Sequence, residues 1–132
     1  MSERRAFLLI DHGSRRNEAN ALLDEIASRV KDRLGGDAIV EAAHMEIAEP
    51  TIAQGFARCV AQGATLVVAH PFMLALGRHV TEDLPRLVSE AAEAHAGVSF
   101  VMAPPLGGHS GIIDAVIERC QEALAGLSNG ED

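Results

Sequence analysis

Four short apolar runs alternate with four amphipathic stretches along this chain, and this order constrains the fold more than any other feature. The apolar runs lie at residues 6–11, 39–45, 65–69 and 98–103. Runs of this length, bounded by turns and helical patterns, are typical of buried strands. Strands that alternate with helices form parallel sheets through right-handed crossovers. We therefore predict an α/β fold with a four-stranded parallel sheet and helices on both faces.

The stretches between the runs carry apolar residues at helical spacing. They predict helices within 22–34, 50–63, 84–92 and 113–127, the first ending at a Gly-Gly pair. Pro50 suits a first helical turn, whereas Pro85 blurs the start of the third helix. Segment 70–78 contains Pro71 and Gly77 and is predicted to be a loop.

The length and composition favour one domain with an aliphatic core. The chain has 132 residues, 48% of them apolar but only 3% aromatic. A chain of this length can form a hydrophobic core without disulfide bonds or a structural metal. We predict a single domain over residues 1–127 and a frayed tail over 128–132. Cys59 and Cys120 occupy apolar helix positions and are predicted to be buried thiols.

The charge balance bears on the partners of the protein. A net charge of −8 argues against nucleic-acid binding, which needs a basic surface. No signal peptide or apolar run long enough to span a bilayer is present, so we expect a soluble, cytoplasmic protein that binds no membrane. An anionic ligand would need a local positive cluster, and Arg15, Arg16 and Arg78 could provide one.

Two histidines follow predicted strands and lie beside glycine and arginine residues. His12 follows the first strand, and His79 follows the third after Gly77 and Arg78. The carboxyl ends of parallel strands meet along one edge, where ligands bind. Neutral imidazole binds divalent metals and acts as a base near pH 7. The pair predicts a metal or acid–base site, although a capping role for His12 and a solvent-facing role for His79 stay open.

Carboxylates accompany this pair. Glu46 follows the second strand and is our candidate third ligand or proton acceptor, whereas Glu49 is better explained as a charge at a helix start. Two histidines and one carboxylate with open positions suit a reactive divalent metal. Asp83 and Glu82 could orient the imidazole of His79 or favour the helix start.

The other polar residues near the strand ends are less informative. We expect structural roles for His44 and His70, a helix-end position for His95 and a position at the same edge for His109. Asp11 could pair with an arginine or hold a metal-bound water, and its role is left open.

Four segments together resemble the small single-domain sirohydrochlorin chelatases of sirohaem and cobalamin biosynthesis. They are DHGSRRNEAN at 11–20, HMEIAEPTI at 44–52, GRHVTEDLP at 77–85 and APPLGGHSGIIDAVIER at 103–119. This resemblance implies a three-layer αβα chelatase-like domain that inserts Fe²⁺ or Co²⁺ into sirohydrochlorin without ATP. It also implies metal-site roles for His12, His79 and Glu46, and a homodimer.

The chain departs from the family pattern at two positions. Leu76 stands where many relatives have proline before Gly-Arg-His, and Asp11 stands where many have glycine. With aspartate at this position, the chain is similar to a subgroup of ferrochelatase type. Some members of that subgroup carry a cysteine-rich tail that binds an iron–sulfur cluster. This sequence has no such tail, so no cluster is expected, and no cofactor beyond the substrate metal (Fe²⁺, Co²⁺ or Ni²⁺).

The expected substrate is a polyanionic tetrapyrrole. Its carboxylates and its apolar ring suggest further residues that would bind it. The basic side chains and the helix start after the first histidine would hold its carboxylates, and an apolar segment would face the ring. These candidates are Ser14, Arg15, Arg16 and Arg78 for the periphery and Phe72, Met73 and Leu74 for the ring. The main alternative is a non-catalytic metal carrier or tetrapyrrole-binding module. A histidine phosphatase is disfavoured because Asp11 would repel phosphate.

Overall fold

The computed structural model describes residues 3–128, which form four strands and four helices in strict alternation. The strands are β1 (Arg5–Asp11), β2 (Ile39–His44), β3 (Leu66–Pro71) and β4 (Ser99–Met102). The helices are α1 (Asn17–Leu34), α2 (Ile52–Ala61), α3 (Arg78–Glu93) and α4 (Ser110–Ser128). The α/β fold predicted from the alternation of patterns is confirmed.

All four strands are parallel, in the order β2-β1-β3-β4. The chain therefore starts in the middle of the sheet, moves to one edge through β2 and then crosses to the other side through β3. This topology places β1 and β3 side by side, and His12 directly follows β1 whereas His79 lies at the start of the helix that follows β3. The ends of β1 and β2 are also neighbours, since Asp11 is paired with His44.

The core is divided between the two faces of the sheet. One face packs against α2 and α3 around the fully buried Phe56, Leu8 and Leu84. The other face packs against α1 through Leu23 and Ala27, which contact residues of β1 and β2. Because side chains alternate across a strand, β1 and β2 supply both cores, whereas β3 and β4 supply only the core against α2 and α3. The result is the three-layer αβα arrangement expected.

The boundaries differ from the prediction around two prolines. Pro50 lies before α2 rather than in its first turn, because Thr51 is the N-cap and forms a reciprocal capping box with Gln54. Pro85 lies inside α3, which begins seven residues earlier at Arg78. The first turns of that helix are held by the amide and hydroxyl of Thr81, which both donate to the Gly77 carbonyl (3.0 Å each).

Three smaller predictions are also revised. His70 and Pro71 belong to β3, so the loop is shorter than predicted. Cys59 is buried as expected, but Cys120 is exposed, because α4 packs against no other element of the described chain over an extended surface. Helix α4 includes Ser128, and the rest of the predicted tail, 129–132, lies outside the described residues.

Candidate functional site

The loop that carries His12 and the loop that carries Glu46 are joined directly. Beyond the last paired residues of β1 and β2, the Met45 amide donates to the Asp11 carbonyl (2.8 Å) and the Glu46 amide to the His12 carbonyl (3.1 Å). These bonds continue the parallel ladder past the strand ends. The sheet itself therefore holds His12 and Glu46 in adjacent loops, with both side chains exposed.

Gly13 makes this close approach of the two loops possible. Its φ is +91°, and a Cβ at this position would lie 1.9 Å from the Glu46 carbonyl oxygen. Such a contact is incompatible with any side chain, and the left-handed backbone also favours glycine. The Gly that follows His12 is thus required by the neighbouring backbone as well as by the turn.

A partly buried carboxylate contacts a buried imidazole next to these loops. The Nδ1 of His44, which is 1% exposed, lies 2.6 Å from Asp11 Oδ1. The same oxygen accepts a hydrogen bond from the Gly13 amide (3.0 Å). Asp11 therefore ties the His12–Gly13 turn to β2, and its partner is a histidine rather than the arginine considered from the sequence. The structural role expected for His44 agrees with this contact.

His79 is oriented by a carboxylate of its own helix. It lies in the first turn of α3 rather than in a loop, and its Nε2 is 2.9 Å from Asp83 Oδ2. The side chain of His79 is 79% exposed, whereas that of Asp83 is 26% exposed. Glu82 instead forms an ion pair with Arg78, with 3.8 Å between Glu82 Oε1 and Arg78 Nε. The structure thus contains the Asp83 contact that the sequence suggested.

Ser14 and Arg15 line an open polar cleft of about 420 Å³ between the start of α1 and the β2–α2 loop. The amide of Ser14 donates to Asn20 Oδ1 (2.9 Å), and Asn20 Nδ2 donates back to the Ser14 carbonyl (2.7 Å). Arg16 is the N-cap residue of α1, and its side chain makes no capping bond. Both arginines are exposed at the positive end of a helix, which favours anions.

The apolar segment after β3 divides its side chains between the core and solvent. Met73 is 8% exposed and belongs to the core, Phe72 is half-buried, and Leu74 is 60% exposed. The Phe72 amide donates to the Ile10 carbonyl (2.6 Å), which fixes this loop beside the end of β1. Leu74 therefore offers the most accessible apolar surface of the three.

The remaining histidines make contacts of other kinds. Burial lowers the pKa of His70 below 6.5, and the carbonyl of Pro104 opposes the shift. His109 Nδ1 accepts a hydrogen bond from the Gly111 amide (2.9 Å) at the start of α4. His95 stacks on Phe56, with ring centroids 5.7 Å apart.

Ile47 is a residue of this edge that the sequence reasoning missed. It follows Glu46, has a φ of +75° and is 64% exposed. A β-branched residue in this conformation is strained, and such strain clusters at binding sites. Nothing in the sequence marks the backbone conformation, and only its position after Glu46 could have drawn attention to it.

The described residues do not form a complete metal-binding centre. Within residues 3–128, no group of three or more His, Cys, Asp or Glu side chains is placed to hold one ion. The roles of His12, His79 and Glu46 as ligands thus stay a prediction. None of the helices described is both long and apolar enough to cross a bilayer.

Comparison with known proteins shows which family the chain belongs to. The family model CbiX matches residues 6–123. The chloroplastic sirohydrochlorin ferrochelatase of Arabidopsis thaliana is 43% identical over 125 residues, which cover 95% of this chain and 55% of the plant protein. The chain therefore spans about half the length of that relative.

Two further proteins show the extent of the similarity. The sirohydrochlorin cobaltochelatase of Methanococcoides burtonii is 32% identical over 132 residues, covering 94% of this chain and 100% of the archaeal protein. The crystal structure of the sirohydrochlorin chelatase SirB from Bacillus subtilis subspecies spizizenii in complex with cobalt superimposes with a TM-score of 0.80 at 28% identity. The superposition covers 90% of this chain and 50% of SirB.

Proposed function

The chain belongs to the CbiX family, and from this premise we propose that it inserts Fe²⁺ or Co²⁺ into sirohydrochlorin without ATP hydrolysis. One observation carries the proposal: the archaeal sirohydrochlorin cobaltochelatase matches this chain over its entire length. This relative is about as long as the chain, and its name describes the whole reaction of metal insertion into sirohydrochlorin. The plant ferrochelatase, the more similar of the two, supports iron as well as cobalt.

The reaction sets chemical demands that the edge of the sheet can meet. The incoming ion must lose water ligands, and the macrocycle must release two pyrrole protons as the divalent ion enters. His12 and His79, as neutral imidazoles, can hold the ion or accept these protons. Glu46, in the loop joined to that of His12, can balance the charge of the ion.

Residues with no role in proton transfer would hold the macrocycle. Arg15, Arg16 and Arg78 are exposed near the starts of α1 and α3, where helix dipoles add to their attraction for carboxylates. Phe72 and Leu74 would face the ring, with Met73 supporting them from the core. Ser14 would contribute at the start of α1.

Several features of the activity are proposed with it. Imidazole and carboxylate ligands accept Fe²⁺, Co²⁺ and Ni²⁺, in an order set largely by the ions. We propose no resident cofactor, neither ATP nor an iron–sulfur cluster, and a homodimer as the working form. We also propose that the protein serves sirohaem synthesis in slight preference to cobalamin synthesis, and its cytoplasmic location stays a prediction from the sequence.

A metallation assay with purified protein separates this proposal from its alternative. Sirohydrochlorin is mixed anaerobically with Fe²⁺, Co²⁺ or Ni²⁺, and the change in the absorption spectrum is followed with and without protein. A chelatase accelerates insertion of at least one metal at substoichiometric protein. A metal carrier or tetrapyrrole-binding module would bind its ligand but leave the rate at the spontaneous value, which would refute the proposal.

A further inference from the structure

The imidazole of His109 has one ring nitrogen engaged by the backbone. Its Nδ1 accepts a hydrogen bond from the Gly111 amide (2.9 Å). A backbone amide can only donate, so Nδ1 provides a lone pair, and the single proton of the neutral imidazole is on Nε2. The nitrogen available to a ligand is therefore Nε2, and it is a donor. A histidine that holds a metal ion or accepts a proton needs a free lone pair instead.

The segment that leads to His109 is fixed against the loop that follows β3. The amides of Leu106 and Gly107 donate to the carbonyls of Met73 and Leu74 (2.9 and 2.7 Å). The His109 amide donates back to the Leu106 carbonyl (3.0 Å). His109 is two residues from Gly107, so their Cα atoms are at most about 7 Å apart. These bonds therefore hold His109 at the carboxyl edge of the sheet, in a segment joined to that of Leu74.

The approach to His109 is open. The residue is exposed, and a Cβ built on the neighbouring Gly108 would meet no atom of the described chain within 4 Å. Leu74, which is proposed above to face the macrocycle, is 60% exposed. A ring placed on Leu74 would bring its peripheral groups to the joined segment, where His109 is accessible to them.

The start of α4 does not itself require a histidine. His109 directly precedes α4, and its carbonyl accepts hydrogen bonds from the amides of Ile112 and Ile113 (2.9 and 3.3 Å). It thus occupies the N-cap position, where serine, threonine, aspartate and asparagine are preferred. Each of these could satisfy the Gly111 amide, but none would present a ring N–H beyond the cap. The histidine therefore supplies a donor that the helix start does not need.

We propose that His109 binds the macrocycle by donating a hydrogen bond from Nε2 to one of its peripheral carboxylates. This inference rests on the chelatase function proposed above and adds a substrate-binding residue to it. An ionised carboxylate only accepts hydrogen bonds, and bonds to a charged acceptor are stronger than those between neutral groups. In this role His109 neither holds the metal nor takes the pyrrole protons, which are assigned to His12 and His79.

His109→Ser separates substrate binding from helix capping. Serine is a favoured N-cap, but it has no group that reaches beyond the cap. Metal-free sirohydrochlorin is titrated into the full-length protein, and the Kd is read from the change in its absorption. The variant should raise this Kd about tenfold, as expected for the loss of one hydrogen bond to a charged group. The Kd for Co²⁺ alone should be unchanged. In the metallation assay, KM should rise while kcat is retained, because the lost interaction is uniform binding.

Three further variants identify the cause of the change in Kd. His109→Ala also removes the cap, so it should raise the Kd as His109→Ser does and in addition lower the free energy of unfolding in urea. His109→Asp keeps the cap but adds a carboxylate, which should weaken binding of the polyanion more than serine does. Ser28→Asp adds the same charge at an exposed position of α1 and should leave the Kd unchanged.

The outcomes distinguish this inference from the chelatase proposal. A wild-type Kd for sirohydrochlorin in His109→Ser would overturn the role of His109 and leave the chelatase proposal standing. A reduced kcat with unchanged KM would also overturn it, because the residue would then act in the chemical step. A wild-type chain that neither binds nor metallates sirohydrochlorin would refute the chelatase proposal, and this inference with it.

Discussion

The contact between Asp11 and His44 is the residue-level feature on which the geometry of the site depends most. It connects the end of β1 to the end of β2 and also satisfies the Gly13 amide. The sequence placed both residues at strand ends but could not pair them, since pairing requires the order and register of the strands. His12 is therefore positioned by contacts that no local pattern encodes.

Replacing Asp11 with alanine should destabilise the fold and slow metal insertion. The substitution leaves the buried His44 without its partner and removes the acceptor of the Gly13 amide, at a cost of about 1–3 kcal/mol. Urea unfolding measures the first effect and the metallation rate the second. Asp11→Asn, which keeps an oxygen acceptor, should lose less of both. Wild-type stability of Asp11→Ala would show that the pair does not hold the turn.

Replacing Ile47 with glycine should weaken substrate binding but stabilise the fold. Ile47→Gly relieves a left-handed strain of about 1–3 kcal/mol and incurs an entropic cost of about 0.5–1 kcal/mol, so the free energy of unfolding should rise by up to about 2 kcal/mol. If the exposed side chain contacts the macrocycle, KM should rise. Ile47→Ala keeps the Cβ and with it part of the strain, and serves as the control, with a raised KM and a smaller gain in stability than Ile47→Gly. An unchanged KM in both variants would remove Ile47 from the site.

The positions of the helices and strands were largely predictable, because each depends on local periodicity. Strand β1 begins one residue before its predicted start, and β2 ends one residue before its predicted end. The errors at Pro50 and Pro85 have local physical causes: a capping box at Thr51 and the helix start at Arg78. The exposure of α4 was not predictable, because an amphipathic pattern identifies an apolar side without identifying what covers it.

Gly55 tests how tightly α2 packs on the sheet. A Cβ at this position would lie 2.9 Å from both the Ala43 Cβ and Leu8 Cδ1. Helix propensity alone predicts that Gly55→Ala stabilises the protein by about 1 kcal/mol. We expect the opposite, a net loss of about 1–3 kcal/mol from overpacking, measured by urea unfolding. A stabilised variant would show that the layers can separate at little cost.

For the whole molecule, the main result is that the strand order brings the loops that carry His12 and Glu46, and the connection from β3 to α3, to one edge of the sheet. The strand order puts the ends of β1, β2 and β3 next to one another. The sequence predicted this edge from the general rule for parallel sheets but could not predict the order β2-β1-β3-β4. Strand order depends on long-range pairing that one sequence does not display.

The stability of the protein should fall at acidic pH partly through His70. Burial lowers the pKa of this imidazole in the folded state below 6.5, so the unfolded chain binds the proton more readily. Stability should therefore rise with pH between the lowered pKa and about 6.5 and level off above it. One group contributes at most about 1.4 kcal/mol per pH unit.

His70→Gln isolates this contribution because the amide does not titrate. The free energy of unfolding in urea is compared at pH 7.5 and pH 5.0 for both proteins. The wild type should lose more stability between these values than the variant does. An equal loss would show that other groups account for the acid sensitivity.

The central claim is that His12 and His79 act together in metal insertion at the carboxyl edge of the sheet. The direct test is the initial rate of sirohydrochlorin metallation by His12→Ala and His79→Ala, with His95→Gln, two residues beyond the end of α3, as the control. We predict a loss of about 100-fold or more in each of the first two, with dimer and fold retained, and little change in the control. Wild-type rates in both alanine variants would contradict the claim.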